Sequence, residues 1–184
     1  MDRFSFVMVL LSIIVGLGVT ELLTNVARQI QNRARSRFYW LHSLMVALVF
    51  IALLQQWWEA WDQRLVETWS FPILLMMLGG PIGLYIISHL LFPDDAEGVD
   101  YDRHYFANTR QTYLLGIATV VFATIYRPLS FGDGLVDMDN LSSAFILAAF
   151  LALAIWKTRM LHQILVPLLF AALVLDVLVF HFAL

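Results

Sequence analysis

Six long apolar runs fill almost the whole of this chain, and little else is left for a fold to be made from. They cover residues 4–27, 38–58, 70–92, 112–131, 141–156 and 160–184, with short connections between them. A helix of about 20 residues crosses a hydrocarbon core of about 30 Å. It also satisfies its own backbone N–H and C=O groups, which is the main demand that lipid makes. The fifth run is the shortest, and Asn140 and Lys157 at its ends are placed to sit among headgroups. The runs predict an all-α integral membrane protein, one six-helix transmembrane domain over residues 1–184 with no soluble domain.

Composition agrees. Hydrophobic residues make up 61% of the chain and charged residues 14%, against about 45–50% and about 25% in a soluble domain. A net charge of −3 with only 11 Lys and Arg leaves no basic groove, so nucleic acid is excluded as a partner. The chain has no cysteine, which removes disulfides, thiolate metal sites and Cys nucleophiles. The start, Met1-Asp2-Arg3-Phe4, looks like a signal peptide, but its apolar stretch is too long and no small-x-small cleavage site precedes Glu21. It is expected to stay as the first span.

Orientation follows from Lys and Arg. The first, third and fifth connections carry Arg28, Arg33, Arg35, Arg37, Arg103, Arg110, Lys157 and Arg159; the other side has Arg3, Arg64 and Arg127. Positive charge stays cytoplasmic, so both termini are expected outside, in the periplasm of a bacterial-type inner membrane. Trp57, Trp58, Trp61 and Trp69 mark the outer surface as an anchoring belt, and Trp40 and Trp156 mark the inner one.

Ionisable groups inside a span are costly and point to function or to pairing. Glu21, Thr24, Asn25 and Arg28 follow i, i+3, i+4, i+7 spacing, so the inner half of the first helix has a polar face. It reads either as a helix leaving the membrane with Glu21 paired to Arg28, or as one wall of a polar pathway. His42, His89 and His162 lie at the same depth. With Glu21 they make a candidate inner-leaflet cluster for proton relay, metal or haem; the plainer reading is three interfacial histidines bonded to carbonyls or headgroups. In the outer leaflet Asp176 interrupts an apolar run, followed by His181. Arg127 is its expected ion-pair partner, with Gln55 and Gln56 at the same level.

Gly79, Gly80, Pro81 and Gly83 remove a backbone donor and three side chains from the middle of span three, which predicts a kink or break there. Small residues recur at four-residue spacing at Ser12 and Gly16, at Gly79 and Gly83, and at Ala144, Ala148 and Ala152, the pattern that lets helices approach closely in lipid. The connection from Pro93 to Gln111 reads as a solvated acidic loop without the ligand spacing of a calcium site. The loop with Asp133, Gly134, Asp137 and Asp139 is similar, with Asp139 or Asn140 capping the fifth helix. Lys157-Thr158-Arg159 is a tight turn that makes spans five and six antiparallel neighbours. Matches at an offset of 100 residues, among them Gly16 with Gly116 and Ala52-Leu53 with Ala152-Leu153, raise a three-plus-three inverted repeat of the kind transporters use.

The chain has no HExxH, GxSxG, histidine box or Walker loop, so it is not read as an enzyme. The Arg3-Phe4-Ser5 opening and the six-span plan resemble the small bacterial six-helix potassium channels related to lysosomal ones. That family continues with an acid where this chain has Phe6, and its N-terminus lies on the other side. The expected function is a small homo-oligomeric channel or transporter for an ion, proton or small solute, with Glu21, Thr24, Asn25, Arg28 and Asp176 along its polar path. The alternatives are an accessory, assembly or sensor subunit bound to a membrane-protein partner, and a haem- or metal-binding redox protein using the inner histidines. No cofactor is required by the first two.

Overall fold

The computed structural model describes residues 3–65, 69–94, 98–131 and 138–180, with side chains over 4–64, 69–94, 98–125 and 143–178. Six helices account for nearly all of it: α1 (Arg3–Gln31), α2 (Trp40–Glu59), α3 (Phe71–Leu90), α4 (Tyr101–Phe131), α5 (Met138–Ile155) and α6 (Arg159–Phe180). A 3-10 turn, Ala60–Leu65, extends α2. The described residues contain no strand, only a single bridge between Arg37 and Asp100.

Four of the helical stretches are long and apolar enough to cross a bilayer: Phe4–Gln31, Trp40–Arg64, Phe71–Leu90 and Arg159–Leu178. The expectation of six such runs is therefore met in part. Among the described residues α5 supplies a shorter apolar helix, Ser143–Ile155. Helix α4 differs most from the reading of the sequence, because it begins at Tyr101 rather than near Thr112. The second half of the expected solvated loop is instead its polar first turns. Asp100 explains the early start: its Oδ1 accepts from the backbone N–H of Asp102 and Arg103 at 3.1 and 3.2 Å, an N-cap. Gly98, with φ +68°, turns the chain into that cap.

The packing is a ring with a filled centre. Helix α3 lies most closely on α4 and α1, α4 packs on α5, and α5 touches α6 across the 157–159 turn. Helix α2 touches α1, α3, α4 and α6, and fills the gap between α1 and α6. Its buried residues, from Leu41 through Met45 and Val49 to Leu53, are the middle of the core. The two halves pack differently: α1 lies along α3, whereas α4 and α6 do not meet among the described residues. The halves thus share the contacts of neighbouring helices but differ in this one.

Glycines set the close approaches. A Cβ on Gly79 would meet the Phe122 ring at 2.7 Å, and one on Gly116 the Phe150 ring at 2.7 Å; one on Gly83 would strike Thr119 Oγ1. Helix α3 runs through Gly79, Gly80, Pro81 and Gly83 without ending, so the helix does not break there. These residues thin the helix so that α4 and α2 can press against it. The alanine stripe of α5 behaves otherwise. Ala144 and Ala148 are exposed, while Ala149, Leu153 and Ala154 face the core. Gly16 is open too, since a Cβ there would meet nothing within 4 Å among the described residues.

The connections knit one end of the bundle. Arg37 N donates to Val99 O at 2.8 Å and Tyr101 N to Arg37 O at 3.2 Å, joining the first and third connections. Arg159 Nη2 donates to Asp102 Oδ2 at 2.6 Å, and Lys157 Nζ to Phe106 O at 3.2 Å, adding the fifth. All three arginine-bearing connections therefore gather at one end. At the other end Trp57 Nε1 donates to Ser12 Oγ at 3.0 Å, Phe4 meets Trp61 edge-on, and the Arg64 guanidinium lies over the Trp61 ring. Helix α5 begins at Met138, so Asp139 and Asn140 fall inside its first turn; their side chains lie outside the described residues, as does the loop with Asp133, Gly134 and Asp137.

Candidate functional site

Two polar groups form near the arginine-rich end, one on the surface of the bundle and one inside it. The first joins α1 and α3. His89 Nδ1 lies 3.0 Å from Glu21 Oε1, and Asn25 Nδ2 donates to the same oxygen at 2.9 Å and to Glu21 O at 3.0 Å. A carboxylate only accepts, so the His89 Nδ1 carries the hydrogen that points at it. Three helical facts bring these residues together. Glu21 and Asn25 are one turn apart on α1, His89 sits in the last turn of α3, and α1 and α3 run alongside each other. The polar stripe predicted on α1 exists, but it splits. Asn25 is buried, whereas Thr24 and Arg28 are exposed, and Glu21 takes His89 and Asn25 as its partners.

The pair is not enclosed. The His89 side chain is 63% exposed and that of Glu21 is 30% exposed. About one turn away on the same helix faces lie exposed apolar side chains, Leu17 on α1 and Tyr85 and Ile86 on α3. An acid and an imidazole thus sit together on an otherwise oily outer surface.

The second group is internal. His162 and His42 are both fully buried. His162 Nε2 lies 3.1 Å from Trp156 O, and a carbonyl only accepts, so Nε2 carries the hydrogen. Its Nδ1 must then accept, and the Tyr105 hydroxyl donates to it at 2.9 Å. With that hydrogen committed, Tyr113 OH donates to the Tyr105 oxygen at 2.9 Å; it also sits 3.5 Å from Met45 Sδ. Tyr113, Tyr105, His162 and Trp156 O therefore form a chain of fixed direction. Burial pushes the Tyr105 phenol above its ordinary pKa, which keeps it a donor. His42 Nε2 donates to Leu91 O at 2.8 Å, between the Phe92 and Tyr101 rings, and its Nδ1 has no hydrogen-bond partner among the described residues. A void of about 10 Å³ beside it, lined also by His104, Asn108, Thr109 and Thr112, is close to the room one water needs.

The sequence places His42, His89 and His162 at one level as a possible cluster, and the structure gives each of them different partners. Rotation separates them: His89 goes outward to Glu21, and the other two inward to carbonyls. Among the described residues no three His, Cys, Asp or Glu side chains converge as metal ligands. Sequence reasoning misses the tyrosines. Tyr105 and Tyr113 recur at eight residues, and His104 and Thr109 adjoin them, but a helix start near Thr112 divides them between a loop and a span.

At the opposite end Asp176 Oδ2 accepts from Gln55 Nε2 at 2.6 Å, and the same amide reaches Glu59 Oε1 at 2.9 Å. Gln55 joins Asp176 as its level suggested. The Arg127 side chain and His181 lie outside the described residues. Gln56 turns toward Gly80 instead. Three helical hydroxyls are satisfied within their own helices, Ser88 by Leu84 O, Thr109 by Tyr105 O and Thr119 by Leu115 O. Compared with family models, with curated proteins and with solved structures, the chain matches none of them.

Proposed function

We propose that this chain is a multi-pass membrane protein with its arginine-rich end in the cytoplasm, and that it assembles with copies of itself to pass protons or small ions along the face that carries Glu21 and His89. The observation that carries this reading is the pair itself, at 3.0 Å and partly exposed among apolar neighbours. Hydrocarbon is a poor environment for a carboxylate or an imidazole, so such a face calls for water or a second chain. An acid hydrogen-bonded to a histidine is also a pair between which a proton can be handed on. Exposed Trp40 and Trp156 at the arginine-rich end and Trp57, Trp58 and Trp61 at the other support the insertion this requires.

The test is proton flux in vesicles containing the purified chain, followed with a pH-sensitive dye. Wild type is expected to dissipate an imposed gradient, and Glu21→Gln and His89→Gln to bring it down to the level of empty vesicles. Wild-type flux equal to empty vesicles, for protons and for potassium and sodium, would sink the reading. The exposed Ala144 and Ala148 face of α5 favours a second one, an accessory subunit that presents a close-packing helix to a different membrane protein. Stoichiometric recovery of an unrelated chain on gentle purification would establish it.

A further inference from the structure

Helices α1 and α2 are antiparallel and joined by a short connection, yet they do not close on each other along one side. A cleft of about 450 Å³ lies between them, walled by Leu22, Leu23 and Val26 of α1 and by Val46, Ala47 and Phe50 of α2. From Leu22 to Ile30 it runs about 12 Å along α1, at about 1.5 Å per residue. One leaflet of a hydrocarbon core is about 15 Å deep. The cleft is thus as long as most of one leaflet, mostly apolar along that length, and open on the side where Leu23 and Ile30 are exposed.

Its mouth has a different chemistry. Gln29, Arg33 and Ser36 line it there. Arg33 is exposed, and Ser36 Oγ is buried without a hydrogen-bond partner among the described residues. From Arg28 to Tyr39 the chain carries Arg28, Arg33, Arg35 and Arg37 and no acid, and Arg37 is turned away toward Asp100 at 3.6 Å. An oily slot one leaflet deep that ends in a guanidinium, an amide and a hydroxyl with a hydrogen to give is complementary to one ligand class. We infer that the α1–α2 cleft binds an anionic phospholipid, with an acyl chain between Leu22, Val26, Val46 and Phe50 and the phosphate held at Arg33, Gln29 and Ser36. The site lies apart from the Glu21–His89 face. It rests on the membrane reading but not on transport, and is read by binding rather than flux.

Native mass spectrometry of the detergent-solubilised full chain tests it, with phosphatidylglycerol and phosphatidylcholine of identical acyl chains competing for retention. Wild type is expected to prefer phosphatidylglycerol by about fivefold or more, the effect of a single well-placed arginine at a membrane surface. Arg33→Gln should bring the preference to near unity while lipid still binds. Ala47→Trp should remove retention of both lipids; Ser43→Leu, a gentler filling of the same cleft, should weaken both and serves if the larger variant does not fold. Equal retention of the two lipids by wild type overturns the inference. So does a preference that survives filling of the cleft, which would be surface attraction alone, and so does inorganic phosphate displacing phosphatidylglycerol as well as the lipid itself.

Discussion

Two histidine groups lie at the same end of this bundle and are built in opposite ways. His162 is fully buried, both ring nitrogens are engaged, and the hydrogens along Tyr113, Tyr105 and His162 can point in only one direction. His89 is exposed, holds one carboxylate through one nitrogen, and has oily neighbours. The difference teaches how to separate architecture from chemistry here. A buried polar group whose every valence is met stabilises a fold and resists change. A titratable pair among apolar neighbours would cost free energy if that surface met lipid, and in the proposed reading something else meets it.

Four substitutions test the contrast, taken from the largest expected effect on stability to the smallest. His162→Ala empties a fully buried site and strands the Tyr105 hydroxyl and Trp156 O. Thermal unfolding in detergent should show a loss of about 3 kcal/mol, with vesicle flux retained below the melting temperature. If flux is lost and the melting temperature holds, the roles of the two groups are reversed. Gly83→Leu drives a side chain into Thr119 and should cost about 1–3 kcal/mol, because it levers α3 off α4; a neutral result would mean that those helices are less tightly packed than their glycines imply.

Tyr105→Phe breaks the directed chain at its centre while keeping its volume. A loss of about 1 kcal/mol is expected, and proton flux should not move, since this chain is structural in the proposed reading. A proton flux that falls while the melting temperature changes little would make the tyrosines part of a pathway. Glu21→Gln should change stability by less than about 1 kcal/mol, as partly exposed charge pairs do, and yet abolish flux. That split between two readouts is the sharpest form of the comparison.

Much of the candidate site is legible from spacing. Glu21 and Asn25 one turn apart, and His89 at the same depth, follow from helical periodicity and from counting residues inward from the arginines. Which way His89 turns is not legible, because depth is a one-dimensional quantity and rotation about a helix axis is not. Asp176 with Gln55 is reachable by the same counting, since level alone puts them together. The tyrosine chain escapes because Asp100 reads as one acid among several. Its capping of α4 places Tyr105 and Tyr113 on one helix and two turns apart.

The sequence by itself determined that the chain is helical, about where the helices run, and which connections carry the positive charge, because periodicity, hydropathy and Lys/Arg counts are properties of neighbouring residues. Only the tertiary structure decided that α2 sits at the centre, that the glycines of α3 serve contact rather than a break, and that the three histidines take different partners. Those outcomes depend on which face of each helix meets which other helix. That choice minimises buried unsatisfied groups and voids over the whole bundle at once, and no single helix contains the information that settles it.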